Sequence, residues 1–409
     1  MVKKIDCCRI CGGKKLTTVV SLGEQVLTGV FPRTKSEKIT KGPLDLVWCE
    51  ECTLLQLGHS YQLDEMYGEN YGYRSGLNKS MVVHLQNKIH QLEVLAQPVN
   101  NDIVLDIGSN DATSLKAYKG NYRRIGIDPT AKKFKEYYTD DIQLVPDFFS
   151  AANFSKVFPS EKASIVTSIA MFYDLENPGD FVRDIAAVLS DNGVWHFEQS
   201  YMPSMLRTNA YDTVCHEHLE FYSLKVVKEL LNRFDLRIID VQMNSVNGGS
   251  FAVTACKKNA RYKSNTPVID WLLSQEDELK LDTLEPYLKF AEKIFQHRGA
   301  LKGLIEALVA DGKTILGYGA STKGNVILQL CGLSIEQIRF IAEVNEDKFG
   351  SFTPGSLIPI ISETEARAKT PDYFLVLPWH FKDAILAREK DYMAKGGKFI
   401  FPLPEIEII

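Results

Sequence analysis

Several things are scarce in this chain, and each scarcity excludes something. No apolar run approaches the roughly twenty residues a bilayer span needs, so no membrane-spanning helix is expected. The start, "MVKKIDCCRICGG", lacks the apolar core of a secretory leader, which makes a cytoplasmic location the expectation. There is no surplus of positive charge. A formal net charge of -5 offers no broad attraction to phosphate backbones or anionic lipid, so neither nucleic acid nor membrane is an expected partner. Low-complexity segments and short repeats are missing as well. The full G-x-G-x-x-G of a dinucleotide fold does not occur, nor does the G-x-x-x-x-G-K-[ST] loop of a triphosphate hydrolase. Cysteine is scarce after residue 52, where only Cys215, Cys256 and Cys331 remain, each alone.

What is present begins with those early cysteines. "CRIC" (Cys8, Cys11) and "CEEC" (Cys49, Cys52) form two C-x-x-C pairs a few dozen residues apart. In a reducing compartment such pairs read as metal ligands and not as disulfides. Two knuckles can wrap one ion, and four thiolates with no open position describe a structural zinc site. Residues 1–75 are therefore expected to be a small, irregular zinc-binding unit.

From 76 to 258 apolar strand-like runs alternate with amphipathic helices. "DIVLDIG", "RRIGID", "IQLVPDFF", "SIVTSIAM", "GVWHFEQS" and "FAVTACK" are the strands; "NPGDFVRDIAAVLS" and "SLKVVKELLNRF" are helical. The alternation predicts a mostly parallel sheet covered on both faces. Residues 259–311 read as a helical linker. A second, smaller α/β domain restarts at "KTILGYGASTKGNVILQLCG" and fills 312–409. The fold class is α/β in three parts: a zinc unit, a Rossmann-like domain and a smaller Rossmann-like domain.

The central domain carries a cofactor turn in "VLDIGSNDATSL". Gly108 follows Asp106 where the chain must turn tightly beneath a ligand. Asn110 and Asp111 would crowd a pyrophosphate but suit a zwitterionic amino-acid tail. Asp128 ends the next strand, in reach of ribose hydroxyls. In "PDFF", Asp147 is placed for an adenine amino group, with Phe148 beside the ring. The expected cofactor is S-adenosylmethionine.

The ordered set "CRIC…CEEC", "MYGENYGYRSG", "LDIGSNDAT", "YDTVCHEHLEFYS", "VNGGSFAV", "GYGASTKGN" and "TPGSLIPI" spans nearly the whole chain. It resembles the zinc-containing, S-adenosylmethionine-dependent C-methyltransferases that act on nucleotide-linked 4-keto-6-deoxy sugars in branched-chain deoxysugar biosynthesis. The resemblance implies that the C-terminal domain helps to hold a nucleotide-diphosphate sugar, TDP- or GDP-linked, methylated at C3. It places the family's paired Glu-His on Glu217 and His218, and its tyrosine on Tyr73. This chain departs from the family in having Cys215 where relatives place a tyrosine, and Tyr173 or Asp174 where relatives can place a histidine.

Methylation of a carbon next to a ketone requires loss of the α proton, and histidine titrates in the useful range. His218 is the expected base and His216 the second choice; on a strand both would share one face. Glu217 would fix a tautomer or contact sugar, and Tyr73 or Tyr222 would donate to the enolate oxygen. A metal held by "HEH" is the competing reading. Asn247 and Gly248 in "VNGG" are candidate sugar contacts. Gly317, Gly319 and Lys323 in "GYGASTKGN" resemble a phosphate cradle, and Trp379 with His380 is placed to flank the nucleotide. The rival functions are a zinc-knuckle RNA methyltransferase and a non-catalytic nucleotide-sugar-binding protein. The oligomeric state stays open, a monomer included.

Overall fold

The computed structural model describes residues 2–66 and 73–409, apart from the side chains of residues 63, 64 and 247. Three larger sheets organise these residues.

The central sheet has seven strands: β1 (Ile103–Ile107), β2 (Arg123–Ile127), β3 (Ile142–Val145), β4 (Ala163–Ile169), β5 (Leu189–Ser200), β6 (Leu236–Asn244) and β7 (Ser250–Lys257). Their spatial order is 6-7-5-4-1-2-3, with β7 antiparallel to both neighbours and the remaining pairs parallel. The buried runs explain themselves. All five residues of β1 are buried, as expected of a strand covered on both faces. β6 is absent from the strands expected above; its pattern of buried and half-buried residues gives a weaker apolar run. Helix α1 (Lys79–Ala96) lies on the sheet through Leu85, Ile89 and Leu92. It starts at Asn78, whose side chain accepts from Ser80 N.

The N-terminal unit is more regular than its sequence suggests. Strands Leu16–Val26, Lys41–Cys49 and Leu55–Leu57 form an antiparallel sheet, and its fourth strand, Glu220–Phe221, comes from between β5 and β6. The register sets Glu220 opposite Gln56 and Phe221 opposite Leu55. The zinc unit thus completes its sheet with the segment that carries the Glu-His pair.

The long stretch before the last domain is two helices, Thr266–Glu278 and Glu285–Ala310. The second buries Tyr287, Phe290, Ile294, Leu301 and Ile305 along one face. The C-terminal sheet runs Ile360–Ser362, Ile341–Glu343, Ile315–Tyr318, Tyr373–Val376, Lys398–Phe401 and Glu407–Ile408, parallel except at the last pair.

Candidate active site

The four cysteines converge. The Sγ atoms of Cys8, Cys11, Cys49 and Cys52 all lie within 4.8 Å of one another, with Cys8 to Cys52 at 3.5 Å and Cys11 to Cys49 at 3.6 Å. A tetrahedral ion with Zn–S near 2.3 Å needs sulfurs roughly 3.8 Å apart, so the donor set fits zinc. Each knuckle is a tight turn. Gly12 N donates to Cys8 O and Thr53 N to Cys49 O, with Gly12 at φ 72° and Thr53 at φ 63°. Accepting a hydrogen bond from Cys52 pushes the Cys8 thiol down to about 5, which prepares a thiolate. Inside the first knuckle the Arg9 guanidinium is bonded to Gln56 Oε1, Leu57 O, His59 O and Ser60 Oγ, and lies 3.7 Å from Glu220 Oε1.

A cavity of about 230 Å³ opens over the carboxyl ends of β1, β2, β4 and β5. Its lining includes Tyr73, Asp106, Gly108, Asn110, Asp128 and Phe148. Gly108 sits at φ 71°, and a Cβ there would press on Met171 at 3.1 Å. Asp128 is almost wholly engaged. Its Oδ2 accepts from Asn110 N at 2.7 Å, and its Oδ1 accepts from Thr130 N and Oγ1 at 2.6 and 2.7 Å. Asp106 accepts from Thr167 Oγ1 at 2.5 Å, and burial, helped by the Asp128 charge, pushes its carboxyl up to about 7.

Two sequence candidates lie outside this lining. Asp111 turns away to accept from Gly76 N at 2.9 Å and Thr113 Oγ1 at 2.5 Å, holding the short turn Ser75–Leu77 before α1. Asp147 is exposed and accepts from Asn153 Nδ2 at 3.0 Å.

The "CHEH" segment is a turn, not a strand, and its two histidines part company. His216 is fully buried against Tyr61, edge to face at 4.6 Å, with Nε2 3.5 Å from Gly42 O; burial pushes its imidazole down to about 4. That is a packed core histidine. Among the described residues no further ligand joins the histidines, and the sole metal-competent cluster is the cysteine one. Tyr222 is likewise core, wholly buried and stacked on Phe172 at 5.1 Å. Glu217 faces the N-terminal unit. Thr28 Oγ1 donates to its Oε2 at 3.4 Å, a Cβ on Gly29 would overlap its Oε1, and burial raises its carboxyl.

His218 lies apart from these, half-buried. Its Nδ1 donates to Thr213 O at 2.8 Å, which leaves Nε2 as the basic nitrogen. Tyr173 packs on its ring at 4.2 Å between centroids. The turn Phe172–Asp174 joins His218 to this cavity, because Asp174 lines it. Burial first, then the Lys323 ammonium, pushes His218 down to about 3. The same ammonium acts on His380 and, attractively, on Asp212. Asp212 Oδ2 in turn accepts from Trp379 Nε1 at 2.8 Å.

Four amides of the C-terminal loop are bonded within the protein: Gly317 N to Phe340 O, Gly319 N to Ala342 O, Ala320 N to Glu343 Oε2, and Gly324 N to Ser321 Oγ. What the loop delivers is Lys323, to the electrostatic neighbourhood of His218. Gly319, at φ 83°, backs onto Pro378, and Gly248, at φ 89°, backs onto the Trp379 ring at 3.1 Å. The Asn247 side chain is outside the described residues.

Sequence reasoning missed Glu198, which lines the cavity bonded to His84 Nε2 at 2.6 Å. The available signal was a charge inside the apolar strand "GVWHFEQS", a costly placement that wants a reason.

Comparison with known proteins agrees along the whole chain. Domain models match in succession: one described as zinc binding over residues 8–67, a methyltransferase domain over 84–241, and a C-methyltransferase C-terminal domain over 245–404. The C-methyltransferase NovU of Streptomyces niveus is 30% identical over 413 residues, covering 100% of this chain and 98% of its own. Among solved structures, magnesium protoporphyrin IX methyltransferase (ChlM) of Synechocystis PCC 6803 aligns at 10% identity with a TM-score of 0.33, over 43% of this chain and 79% of its own. N-methyltransferase NodS of Bradyrhizobium japonicum WM9 aligns at 13% identity and a TM-score of 0.32, over 44% and 98%.

Proposed function

This chain belongs to the zinc-binding, S-adenosylmethionine-dependent C-methyltransferases, and from that premise we propose that it methylates a ring carbon, C3, of a nucleotide-linked 4-keto-6-deoxyhexose through an enolate. The observation that carries this reading is the position of His218. Its protonated Nδ1 is tied to Thr213 O, its ring packs on Tyr173, and a lysine from the C-terminal domain acts on it electrostatically. Bound S-adenosylmethionine supplies an electrophilic methyl group; the chain's own task is to make the acceptor carbon a nucleophile. His218 Nε2 takes the α proton. The Lys323 ammonium, held near Asp212, opposes the charge that develops on the ketone oxygen. Tyr73, in the cavity wall, then donates its hydroxyl to the enolate oxygen, a role supported by its place in that lining. Glu217 then acts at a distance, holding the turn against Thr28 and Gly29. The "TPGSLIPI" loop and Trp379 belong to the domain that would carry the nucleotide end.

The test is incubation with labelled S-adenosylmethionine and a panel of TDP- and GDP-linked 4-keto-6-deoxy sugars, followed by mass analysis. Transfer to carbon in at least one of these sugars is expected. Transfer only to acceptors without a nucleotide, or only to oxygen, overturns the reading.

A further inference from the structure

The carboxyl end of β5 holds polar atoms that deprotonation of the acceptor leaves unused. Glu198 and Gln199 are each 2% exposed, and both line the cofactor cavity. Glu198 Oε1 is bonded to His84 Nε2 at 2.6 Å. Its Oε2 makes no hydrogen bond among the described residues; Lys88 Nζ stands 3.5 Å off, drawn aside onto Gln242 Oε1 at 2.9 Å. Next along the strand, neither end of the Gln199 carboxamide has a partner among the described residues. A buried polar atom left unbonded costs about 1–3 kcal/mol, and native structures keep few. Here such atoms fall on two consecutive residues at one cavity wall.

The surroundings say which part of a ligand they await. His84 and Lys88 stand one turn apart on α1, whose Met81 and Leu85 also line the cavity. The short turn Ser75–Leu77 just before α1 is tied to the turn after β1, since Ser75 N donates to Asn110 Oδ1 at 3.0 Å. Asp128 follows β2, which the strand order separates from β5 by β4 and β1. Three interstrand spacings of about 4.8 Å put the two carboxylate-bearing strand ends roughly 14 Å apart. Side chains reaching inward from those ends bracket an extended nucleoside with an amino-acid tail.

We propose that Glu198 and Gln199 seat the amino-acid end of S-adenosylmethionine. The Glu198 carboxylate accepts from the α-ammonium, and Gln199 Nε2 donates to the α-carboxylate. The tail carries both charges on one carbon, whereas the adenosine carries neither. His84 positions Glu198 from behind. This assignment concerns the cofactor alone and stands whatever the methyl acceptor is.

Calorimetry with two ligands tests it: S-adenosylhomocysteine, and 5′-methylthioadenosine, which keeps the nucleoside and thioether but lacks the amino acid. Glu198→Gln should weaken S-adenosylhomocysteine binding on the order of ten- to a hundredfold while methylthioadenosine affinity stays put. Gln199→Leu should show the same selectivity at roughly fivefold or more. His84→Ala, which unties Glu198 without touching its charge, should reproduce a smaller selective loss. Retained methylthioadenosine binding certifies that each variant is folded. Equal losses for both ligands, or unchanged S-adenosylhomocysteine affinity in Glu198→Gln and Gln199→Leu, overturn the proposal. An error in the sugar assignment would leave every one of these titrations as expected.

Discussion

His218 donates its Nδ1 proton to the carbonyl of Thr213 across 2.8 Å, and that single bond decides which nitrogen is basic. His218→Asn keeps size and polarity but cannot carry the proton. It should lower turnover by on the order of a hundred- to ten-thousandfold and leave S-adenosylhomocysteine affinity unchanged. Exchange of the sugar's α proton with deuterated water, with the demethylated cofactor bound, reads the step directly. Exchange at the wild-type rate would take the role from His218.

The same imidazole makes a pH prediction. Held down to about 3 by burial and Lys323, it is neutral across the ordinary pH range, though a weaker base than a free imidazole. The base is lost only as pH falls through that value. The wild-type rate should therefore show no acid limb from His218 near neutrality. Lys323→Met removes a charge that lowers the value, so an acid limb should move up toward neutral pH in its rate profile. A limb that stays in place would show the two groups to be uncoupled.

Asp106 works in the opposite sense. Its carboxyl is pushed up to about 7, above the usual carboxylate value, so the folded state holds a proton that the unfolded chain releases. Stability from this group is present at low pH and is lost as pH rises from about 4 to about 7, by up to ~1.4 kcal/mol per unit. Asp106→Asn still accepts from Thr167. Thermal melts of the ligand-free protein should show it more stable than wild type at pH 8, with the gap closing toward pH 4.

The cysteine site predicts a metal count. Cys49→Ser/Cys52→Ser should lose stoichiometric zinc and melt well below the wild type, measured by metal analysis and calorimetry side by side. Acidification should release zinc from the wild type, because protons compete for the thiolates. Full zinc content in the double variant would remove the assignment.

Arg9 links that knuckle to the buried Glu220, whose carboxyl is pushed well up by burial despite the guanidinium. Arg9→Met leaves Leu57 O, His59 O and Ser60 Oγ without this donor and should destabilise by about 3 kcal/mol or more in denaturant melts. Glu220→Gln, which keeps a neutral side chain of the same shape, should cost little. A loss in Glu220→Gln as large as in Arg9→Met would show that Glu220 is charged against the guanidinium.

Much of this was legible in local sequence. Cys8, Cys11, Cys49 and Cys52 announce themselves by spacing, because a four-thiolate site needs two tight turns and little else. Asp128 follows from its place after β2, and the buried runs of β1, β4 and β5 from their apolar residues. What was hidden depends on direction and distance. His216 and His218 were expected on one face, but the segment is a turn, so one packs on Tyr61 and the other on Tyr173, whose turn reaches the cavity. Tyr222 looked like a donor and is a core ring. Asp111 is spent on Gly76 N and Thr113 Oγ1, and Gly317 N and Gly319 N are bonded to neighbouring carbonyls. Glu198 and His84 are 114 residues apart, and no motif joins them.

The pairing of Leu55–Leu57 with Glu220–Phe221 bears on how the protein is born. The strand at 55–57 leaves the ribosome with one edge bare, and its partner is made more than 160 residues later. At ~5–20 residues per second that is on the order of ten to thirty seconds of synthesis. During that interval an unpaired strand edge is offered to any passing chain. A fragment ending before residue 220 should therefore aggregate where the full chain does not.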